Sequence, residues 1–287
     1  MIIFGVIVLY QPEDDVFENM MSYLDALDCL YVIDNSVNKN NRLLERIRGM
    51  EKIRYVDVGF NSGIANALNH GAKRASSEGA QWLLTMDQDS KATPGMLEEM
   101  LACIDEHQGD NLGIVSPFHA DRFNVHGSDE ARCRDIKVAM TSGNLLNLEA
   151  YRAAGAFRDE FFIDRVDTEY CLRLNKMGYK VIQATRAVLE HHVGEVSRHR
   201  FFGRYVYPTN HSPIRQYYIA RNRAKLIRMH YRDFPQYCWF EFNRQFVDIA
   251  KIIFFEEKKA LKLRMIFRGF RDFLRGRYGK IPDEYLR

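Results

Sequence analysis

Short apolar runs alternate with amphipathic stretches in the first part of the chain. Five runs, at residues 2–9, 30–33, 53–58, 82–86 and 113–116, predict strands, and the spacing of apolar residues predicts helices near 15–27, 40–49, 63–79 and 94–107. Strands that are apolar throughout and separated by helices are typical of a parallel sheet covered on both faces. The pattern therefore predicts an α/β fold with a doubly wound, mostly parallel, Rossmann-like sheet.

The pattern becomes mixed after about residue 136. We expect a strand at 136–140, a loop at 141–144 and helices near 148–154 and 167–177, and the chain after Asn210 is largely helical in pattern. No segment approaches the roughly 20 apolar residues that a membrane-spanning helix needs. We expect one main domain over residues 1–230 and a helical, basic, amphipathic extension over 231–287.

Polar and acidic residues follow each of the first four apolar runs. In doubly wound sheets, ligands bind beyond the carboxyl ends of the strands. The residues at these positions are Tyr10 and Pro12 after the first run, Asp34 after the second, Asn61 and Gly63 after the third, and Asp87 and Asp89 after the fourth. The sequence therefore predicts a binding site along this rim of the sheet.

Two stretches of the rim have a chemical and a structural interpretation. Asp87 and Asp89 could aim two carboxylates at Mg²⁺ or Mn²⁺ bound with a nucleotide diphosphate, or they could form a solvated turn. Residues 61–71 open a helix with small side chains, so that backbone amides could approach a phosphate. Alternatively, Ser62 caps this helix and its alanines allow close packing on the sheet.

Residues 161–173 combine aromatic residues with three acids, Asp164, Asp167 and Glu169. Helix capping accounts for one or two of these acids but not for a third. A carboxylate at the edge of an apolar pocket can act as a general base, because burial raises its pKa. His191 could complete a cation site, and Arg221 could bind a diphosphate in bidentate fashion, although a structural histidine and a charged helix face are the commoner explanations.

Cysteine usage and charge add two expectations. The five cysteines are scattered without CxxC spacing, which argues against a disulfide framework or a structural zinc site and fits a reducing cytoplasm. Residues 258–280 carry nine Lys/Arg and one acid, a net charge of +8 within a chain total of +3. Apolar residues at helical spacing make this segment suited to an anionic membrane surface, or to packing on its own domain or a second subunit.

The order of these motifs resembles the family-2 glycosyltransferases of the GT-A fold, most closely their bacterial rhamnosyltransferase-like branch. The resemblance covers about residues 1–230. The matching motifs are IDNS (33–36), NSGIANALNHG (61–71), MDQDS (86–90), TSGN (141–144), FFIDRVDTEYCLR (161–173), LEHHVGE (189–195) and HSPIRQYYIARN (211–222). The chain departs from the family at Gln11, Arg165 and His192, where Asn, Tyr and Arg respectively are common.

The resemblance implies a role for each matching residue. Asp34 would bind a pyrimidine base, Asp87 would lie by the ribose and phosphates, and Asp89 would hold a divalent cation with His191. Asp167 would be the catalytic base of an inverting single displacement. Further donor contacts are expected from Tyr10, Pro12, Asn61, Gly63 and Arg221, and acceptor contacts from Asp164 and Glu169.

The resemblance also implies the substrates and the location. We expect dTDP-rhamnose as the sugar donor, with UDP- and GDP-sugars as alternatives, and a saccharide or lipid-linked saccharide as the acceptor in surface-polysaccharide synthesis. A cytoplasmic enzyme attached peripherally to the inner face of the plasma membrane fits the basic segment. The sequence is compatible with a homo-oligomer and does not determine the oligomeric state. We expect no nucleic-acid partner, because the acid-lined rim would repel a phosphate backbone.

Two other classes of protein are rivals to a sugar transferase. A sugar-1-phosphate nucleotidyltransferase could share the sheet and the acids. Such an enzyme should carry a glycine-rich, basic phosphate loop near its start, whereas residues 9–15 contain no glycine, lysine or arginine. A non-catalytic nucleotide-sugar or membrane-binding module is the second rival, and it would need no acid at position 167.

Overall fold

The computed structural model describes residues 1–120, 131–191, 199–201 and 204–286. The described strands are β1 (Ile3–Leu9), β2 (Cys29–Asp34), β3 (Ile53–Asp57), β4 (Trp82–Asp87), β5 (Ser90–Ala92), β6 (Leu112–Ala120), β7 (Cys133–Ile136), β8 (Asn144–Asn147), β9 (Lys180–His191), β10 (His199–Phe201) and β11 (Arg204–Val206). The described α-helices are α1 (Val16–Leu24), α2 (Asn41–Ile47), α3 (Ile64–Ser77), α4 (Met96–Glu106), α5 (Leu148–Ala154), α6 (Val166–Lys176), α7 (Pro213–His230), α8 (Pro235–Phe255) and α9 (Lys259–Leu274). The predicted alternation of strands and helices is confirmed.

The chain divides into two compact units. The first comprises Met1–Asp159 and Tyr170–His192, and the second comprises Glu160–Glu169 and Val193–Arg287. Helix α7, which the sequence analysis placed before the boundary at residue 230, belongs to the second unit together with α8 and α9.

A large mixed sheet forms the centre of the first unit. Its strand order is β3-β2-β1-β4-β8-β6-β9-β5, and β7 also pairs with β9. Strands β1, β2, β3, β4, β6 and β9 share one direction, whereas β5, β7 and β8 run the opposite way. The predicted α/β fold with a mostly parallel sheet is therefore confirmed.

Helix α3 packs closely on the sheet because the residues it turns inward are small. Its buried face includes four alanines, Ala65, Ala67, Ala72 and Ala75. At Gly71 a Cβ atom would lie only 2.4 Å from Cγ2 of Val6 on β1, so this position accepts no larger side chain without a shift of the helix. The close-packing interpretation of the small residues is thus supported by the structure.

Three long helices make up most of the second unit. Helix α7 begins at a side-chain cap, in which Ser212 Oγ accepts a hydrogen bond from Arg215 N at 3.2 Å. Helix α9 crosses α7 at Gly269, where a Cβ atom would lie 2.5 Å from the Tyr217 carbonyl oxygen. None of the described helices has the length and apolar character needed to span a bilayer.

Two expectations from the sequence are wrong. The strand expected at 136–140 is β7, which ends at Ile136 and pairs with β9 instead of continuing. Cys103 on α4 and Cys133 on β7 form a disulfide with a Cα–Cα distance of 5.9 Å, although the spacing of the cysteines argued against one. The packing of α4 on the sheet brings these two positions together across a separation of 30 residues, which no local spacing rule detects.

Candidate active site

The register of the parallel strands places the residues of the predicted rim side by side at one edge of the sheet. Leu9 at the end of β1 pairs with Asp34 at the end of β2, and Val8 pairs with Asp87 at the end of β4. The residues expected to bind a donor therefore leave neighbouring strands at the same edge of the sheet. This arrangement follows from the rule that ligand sites of such sheets lie beyond the carboxyl ends of the strands.

Asp34 is buried and held by three donors. Its Oδ1 accepts from Ser36 N at 2.8 Å, its Oδ2 accepts from the Tyr55 hydroxyl at 2.8 Å, and Lys39 Nζ lies 3.6 Å from Oδ2. Burial, together with the carboxylate of Asp34, raises the pKa of the Tyr55 hydroxyl. A carboxylate has about four lone-pair sites, so one further hydrogen bond to a ligand is compatible with this geometry.

Gln88, which separates the two aspartates, fastens their loop to β1. Its Oε1 accepts from Tyr10 N at 2.8 Å and its Nε2 donates to Tyr10 O at 3.3 Å, while its own carbonyl accepts from Asn19 Nδ2 at 2.9 Å. The Tyr10 side chain stays 46% exposed beyond this clamp. Gln88 was not among the predicted site residues, since its partners lie far away in sequence.

The loop at 141–144 supports the aspartates from the other side. Ser142 Oγ accepts from Asp87 N at 3.1 Å and donates to Ser90 Oγ at 2.8 Å. Gly143 N donates to Thr85 O at 2.7 Å. Asp87 is half-buried and Asp89 is exposed, and the loop fixes the backbone at Asp87 and the side chain of Ser90, which follows Asp89.

The β5–β9 ladder brings His191 to the same place. The Cα of His191 lies opposite that of Ser90, directly after Asp89 in sequence. Carboxylate oxygen and imidazole nitrogen suit a divalent cation such as Mg²⁺ or Mn²⁺, so the backbone positions fit the expected ligands. Across the residues described, no three His, Cys, Asp or Glu side chains are grouped as a metal set, and His192 lies outside them.

The loop before α3 is ordered by hydrogen bonds of its own side chains and of Asn35, which follows β2. Asn61 Oδ1 accepts from Gly63 N at 3.0 Å, and Gly63 has a φ of 84° that favours glycine. Ser62 Oγ donates to Asn35 Oδ1 at 2.9 Å, and Asn35 Nδ2 donates to Gly63 O at 3.2 Å. The expectation that Ser62 caps α3 is wrong, because Gly63 is the residue before the helix.

Pro12 and Asn69 have roles within the fold that the sequence did not indicate. Pro12 is buried, and its carbonyl accepts from Asn40 Nδ2 at 3.1 Å. Asn69 on α3 donates to Phe157 O and to Asp159 Oδ1, each at 2.8 Å, and its Oδ1 accepts from Phe157 N at 2.9 Å. In the sequence, an asparagine among the alanines of the predicted helix was the signal that could have indicated these hydrogen bonds of Asn69.

The acid-rich segment of the second unit has an unusual backbone. Phe162, Asp164 and Arg165 have φ values of 64°, 63° and 65°, in the left-handed region that non-glycine residues seldom adopt. Asn222 Nδ2 donates to the carbonyl oxygens of Phe161, Ile163 and Asp164 at 2.8, 2.7 and 3.0 Å. One buried amide on α7 therefore contacts three carbonyl oxygens within four residues of this loop.

Asp167 lies in the first turn of α6 and is partly buried. Burial is the largest influence on its carboxyl and raises its pKa, and the nearby Asp164 charge acts in the same direction. A hydrogen bond from Thr168 N at 2.6 Å and the positive charge of Arg165 oppose this shift without cancelling it. The raised pKa is what the sequence analysis expected of a general base.

The other two acids of this segment have basic neighbours. Asp164 Oδ1 accepts from Nε and Nη2 of Arg215, both at 3.3 Å. Glu169 is buried, and its Oε1 lies 3.7 Å from His230 Nε2. Arg165, not Asp164, directly precedes α6, so Asp164 is not in the capping position. The expected acceptor contacts of both acids stay predictions.

An ion-pair network ties Arg165 to α8. Arg165 Nη2 lies 2.8 Å from Glu241 Oε2, which also accepts from Arg223 Nε at 3.0 Å. Arg223 is buried and donates further to Gln245 and Asp248, each at 2.8 Å. A buried charge that loses its partner is costly, so this network fixes the residue two positions ahead of Asp167.

Arg221 is fully buried within the second unit. Its guanidinium donates to the carbonyl oxygens of Gly279, Phe161 and Glu160 at 2.7, 3.3 and 3.4 Å, and it lies over the rings of Tyr217 and Tyr218. These contacts use most of its five donors. The expected diphosphate contact would require the guanidinium to leave these partners, and the geometry gives Arg221 a structural role.

Comparisons with known proteins identify the family of the chain. A family model described as "Glycosyl transferase family 2" matches residues 10–157, just over half of the chain. The dTDP-rhamnosyl transferase RfbF of Shigella flexneri is 28% identical over 244 residues, which cover 79% of this chain and 80% of the relative.

Solved structures of sugar transferases share the fold. GalNAc-T7 with UDP, GalNAc and Mn²⁺ superposes with a TM-score of 0.62 at 13% identity over 96% of this chain, which spans 56% of that structure. The mannosyltransferase PcManGT of Pyrobaculum calidifontis, in complex with GDP-Man and Mn²⁺, superposes with a TM-score of 0.61 at 14% identity, over 99% of this chain and 77% of that one. At these identities the likeness concerns the fold.

Proposed function

The chain belongs to glycosyl transferase family 2 and has the GT-A fold, and from that premise we propose that it transfers a rhamnosyl residue from dTDP-rhamnose to a hydroxyl group of a saccharide. The relative named as a dTDP-rhamnosyl transferase supports this choice of donor. The observation that carries the proposal is the strand register, which sets Asp34 and Asp87 at one edge of the sheet. This edge is where a nucleotide is bound in such folds.

In the proposed reaction Asp167 is the base. Its carboxylate accepts the proton of the acceptor hydroxyl while that oxygen forms a bond to the anomeric carbon. The bond from this carbon to the diphosphate oxygen breaks in the same step, and dTDP leaves with the electron pair. The displacement inverts the anomeric configuration and needs no covalent intermediate on the enzyme. The raised pKa of Asp167 supports this role, since a base with a pKa nearer the working pH transfers protons more efficiently.

We further propose that Asp89 and His191 hold a divalent cation, Mg²⁺ or Mn²⁺. When bound, the cation would supply electrostatic stabilisation of the negative charge on the leaving diphosphate. The loop at 141–144 and Gln88 would keep Asp87 and Asp89 in place for this purpose. The lone-pair capacity left on Asp34 would serve the pyrimidine base.

The proposed acceptor is a saccharide or lipid-linked saccharide of surface-polysaccharide synthesis, and the proposed location is the inner face of the plasma membrane. The basic segment 258–280 supports attachment to anionic lipid. Its one acid, Asp272, is fully buried and accepts from the hydroxyls of Tyr217 and Tyr285. The accessible charges of this segment are therefore all positive.

The substitution Asp167→Asn tests the proposed base. The amide is close in shape to the carboxylate but cannot take the proton, so we expect kcat to fall about 10²- to 10⁴-fold. Initial rates of rhamnosyl transfer, with Asp110→Asn at a solvent-facing ion pair as the control variant, measure this effect. Near-normal transfer by Asp167→Asn would remove Asp167 as the base.

Donor binding supplies the second arm of this test. A thermal-shift screen with Mn²⁺ should show stabilisation of both wild type and Asp167→Asn by dTDP-rhamnose, since the donor contacts are proposed at the rim. Stronger stabilisation by a UDP- or GDP-sugar would replace dTDP-rhamnose as the proposed donor and leave the assignment as a sugar transferase intact. Indifference to every nucleotide would contradict the proposed donor site.

A further inference from the structure

Helix α8 turns an apolar face to solvent. Its buried stripe consists of Cys238, Glu241, Gln245 and Ile252. Between and opposite these positions are seven exposed apolar side chains, which we call the outer face of α8: Trp239, Phe240, Phe242, Phe246, Val247, Ile253 and Phe254. Their exposed fractions run from 43% to 66%. Burial of such side chains is normally favourable by about 1.5–3 kcal/mol each, so a helix that exposes seven of them is expected to meet a partner.

The aromatic residues of the outer face form one patch. The rings of Trp239 and Phe242 stack with centroids 5.7 Å apart, and those of Phe242 and Phe246 meet edge to face at 5.1 Å. Single exposed apolar residues are ordinary on protein surfaces, but contiguous patches mark interaction sites. The outer face is therefore an interaction surface and not scattered exposure.

Within α8, the two acids are paired and the other two charges are basic. Both acids of α8 are engaged by Arg223, with Glu241 at 3.0 Å and Asp248 at 2.8 Å. Arg244 is exposed and lies over the Phe240 ring of the outer face at 5.9 Å, and Lys251 is half-buried and donates to Tyr207 O at 3.3 Å. The partner should accordingly be apolar at the level of the rings and negatively charged beside them.

Helix α9 contributes charge more than apolar surface. Of its predicted apolar stripe, Ile266 is buried inside the second unit, and Leu263 and Phe270 are partly buried against the same cluster. Phe267 and Leu274 stay outside, at 68% and 80% exposed. Packing on the protein therefore uses much of the stripe that the sequence analysis assigned to a membrane surface, and the larger exposed apolar surface lies on α8.

We infer that the outer face of α8 is a membrane-docking surface, which enters the interfacial region of an anionic lipid bilayer. Tryptophan and phenylalanine are favoured at that depth, and the basic residues of α8 and α9 would remain among the lipid phosphates. A second copy of the chain is a poorer partner, because two such faces would bring like charges together. The inference rests on the proposed location and not on the donor or the chemistry.

Trp239 provides a direct reporter. The chain has two tryptophans. Trp82 is 7% exposed in the core of the first unit, whereas Trp239 is 66% exposed. We expect vesicles of phosphatidylglycerol and phosphatidylcholine, free of any saccharide, to shift the emission of the full chain to shorter wavelength. Vesicles of phosphatidylcholine alone should give a much smaller shift. Asp167→Asn should respond as the wild type does, which separates this inference from a failure of the proposed reaction.

A pair of matched variants locates the surface. Phe242→Ser combined with Phe246→Ser removes two rings from the outer face, and we expect about tenfold weaker co-sedimentation with anionic vesicles. Phe267→Ser combined with Leu274→Ser removes two exposed apolar residues from α9 and should weaken binding less. Neither pair touches the proposed active site, and all four positions are at least 46% exposed, so both variants should fold.

Several outcomes would overturn the inference. One is an absent emission shift together with no co-sedimentation. Equal binding to charged and uncharged vesicles would contradict the choice of anionic lipid, and a larger loss in the α9 pair would move the surface to that helix. An emission shift that grows with protein concentration without vesicles, together with a dimer in sedimentation equilibrium, would assign the outer face to a second copy of the chain.

Discussion

At the scale of single residues, the two charges next to Asp167 predict the pH dependence of transfer. The proposed base works only when deprotonated, and burial raises its pKa, so the rising limb of kcat/KM should lie above the ordinary aspartate value of about 3.9. The positive charge of Arg165 lowers this pKa and the negative charge of Asp164 raises it. Arg165→Gln should therefore move the limb to higher pH, and Asp164→Asn should move it to lower pH.

A profile of kcat/KM against pH measures these shifts. Its amplitude can fall in both variants, because Arg165 and Asp164 also have structural partners. The direction of the shift is independent of such losses. A limb that stays in place in both variants, or moves the same way in both, would contradict the assignment of the limb to Asp167.

The sequence could predict the type of a site residue better than its partners. The aromatic and acidic composition of 161–173 was sufficient to expect a carboxyl with a raised pKa at Asp167. The role of Gln88 could not be read from the sequence, because its partner is the backbone of Tyr10, 78 residues away. Arg221 suited a diphosphate by chemistry, yet its guanidinium donates to the carbonyl oxygens of Gly279 and Phe161, which are about 60 positions distant in sequence.

At the scale of elements, strand β1 is held at each end by one glutamine. Gln88 bonds to Tyr10 beyond its carboxyl end, and Gln81 Oε1 accepts from Ile2 N at 3.0 Å before its amino end. Only the first contact lies at the proposed donor site. We expect Gln88→Ala to raise the KM for the donor about fivefold, corresponding to the loss of roughly 1 kcal/mol of positioning.

Gln81→Ala is the matched control for this prediction. It removes a hydrogen bond of the same kind from the opposite end of the same strand, so it should cause a similar small change in melting temperature and leave the donor KM unchanged. Steady-state kinetics with varied donor distinguish the two variants. Equal effects on KM would mean that Gln88 only stabilises the strand.

Periodicity predicted where elements lie but not what they face. The five apolar runs match β1, β2, β3, β4 and β6, and the first four helical patterns match α1 to α4. Most of these strands are buried on both faces of the sheet, which makes their runs apolar throughout. The short strand β5 was not predicted. The apolar stripe of α9 was equally visible, and its period does not indicate whether a helix or a lipid covers it. Gly269 shows that α7 covers part of this stripe, since its lack of a Cβ allows α9 to approach α7 closely.

At the scale of the whole molecule, the disulfide between Cys103 and Cys133 predicts a dependence of stability on reduction. The link closes a sequence separation of 30, for which loop entropy in the unfolded state gives about 3.6 kcal/mol. Reduction, or Cys103→Ser with Cys133→Ser, should lower the free energy of unfolding by about this amount in urea. Reductant should have no effect on the double variant.

A thiol count provides the check on this prediction. The purified, unreduced protein should show three reactive thiols in denaturant, those of Cys29, Cys171 and Cys238. Five thiols would contradict the disulfide. The sequence could not give this pairing, or the division into two units, because both depend on which distant segments the folded chain brings together.

The left-handed backbone at Phe162, Asp164 and Arg165 lowers the stability of a loop on which the proposed activity depends. Each such residue costs on the order of 1 kcal/mol relative to glycine. Phe162 is buried and Arg165 is paired with Glu241, so glycine at these two positions would lose more than the strain it relieves. Asp164→Gly is therefore the change that a selection for heat resistance would favour. The same change would free the chain just ahead of Asp167 and remove one of the two charges that influence its pKa. Directed evolution for thermostability should therefore exclude this loop, or it will deliver robust but slow transferases.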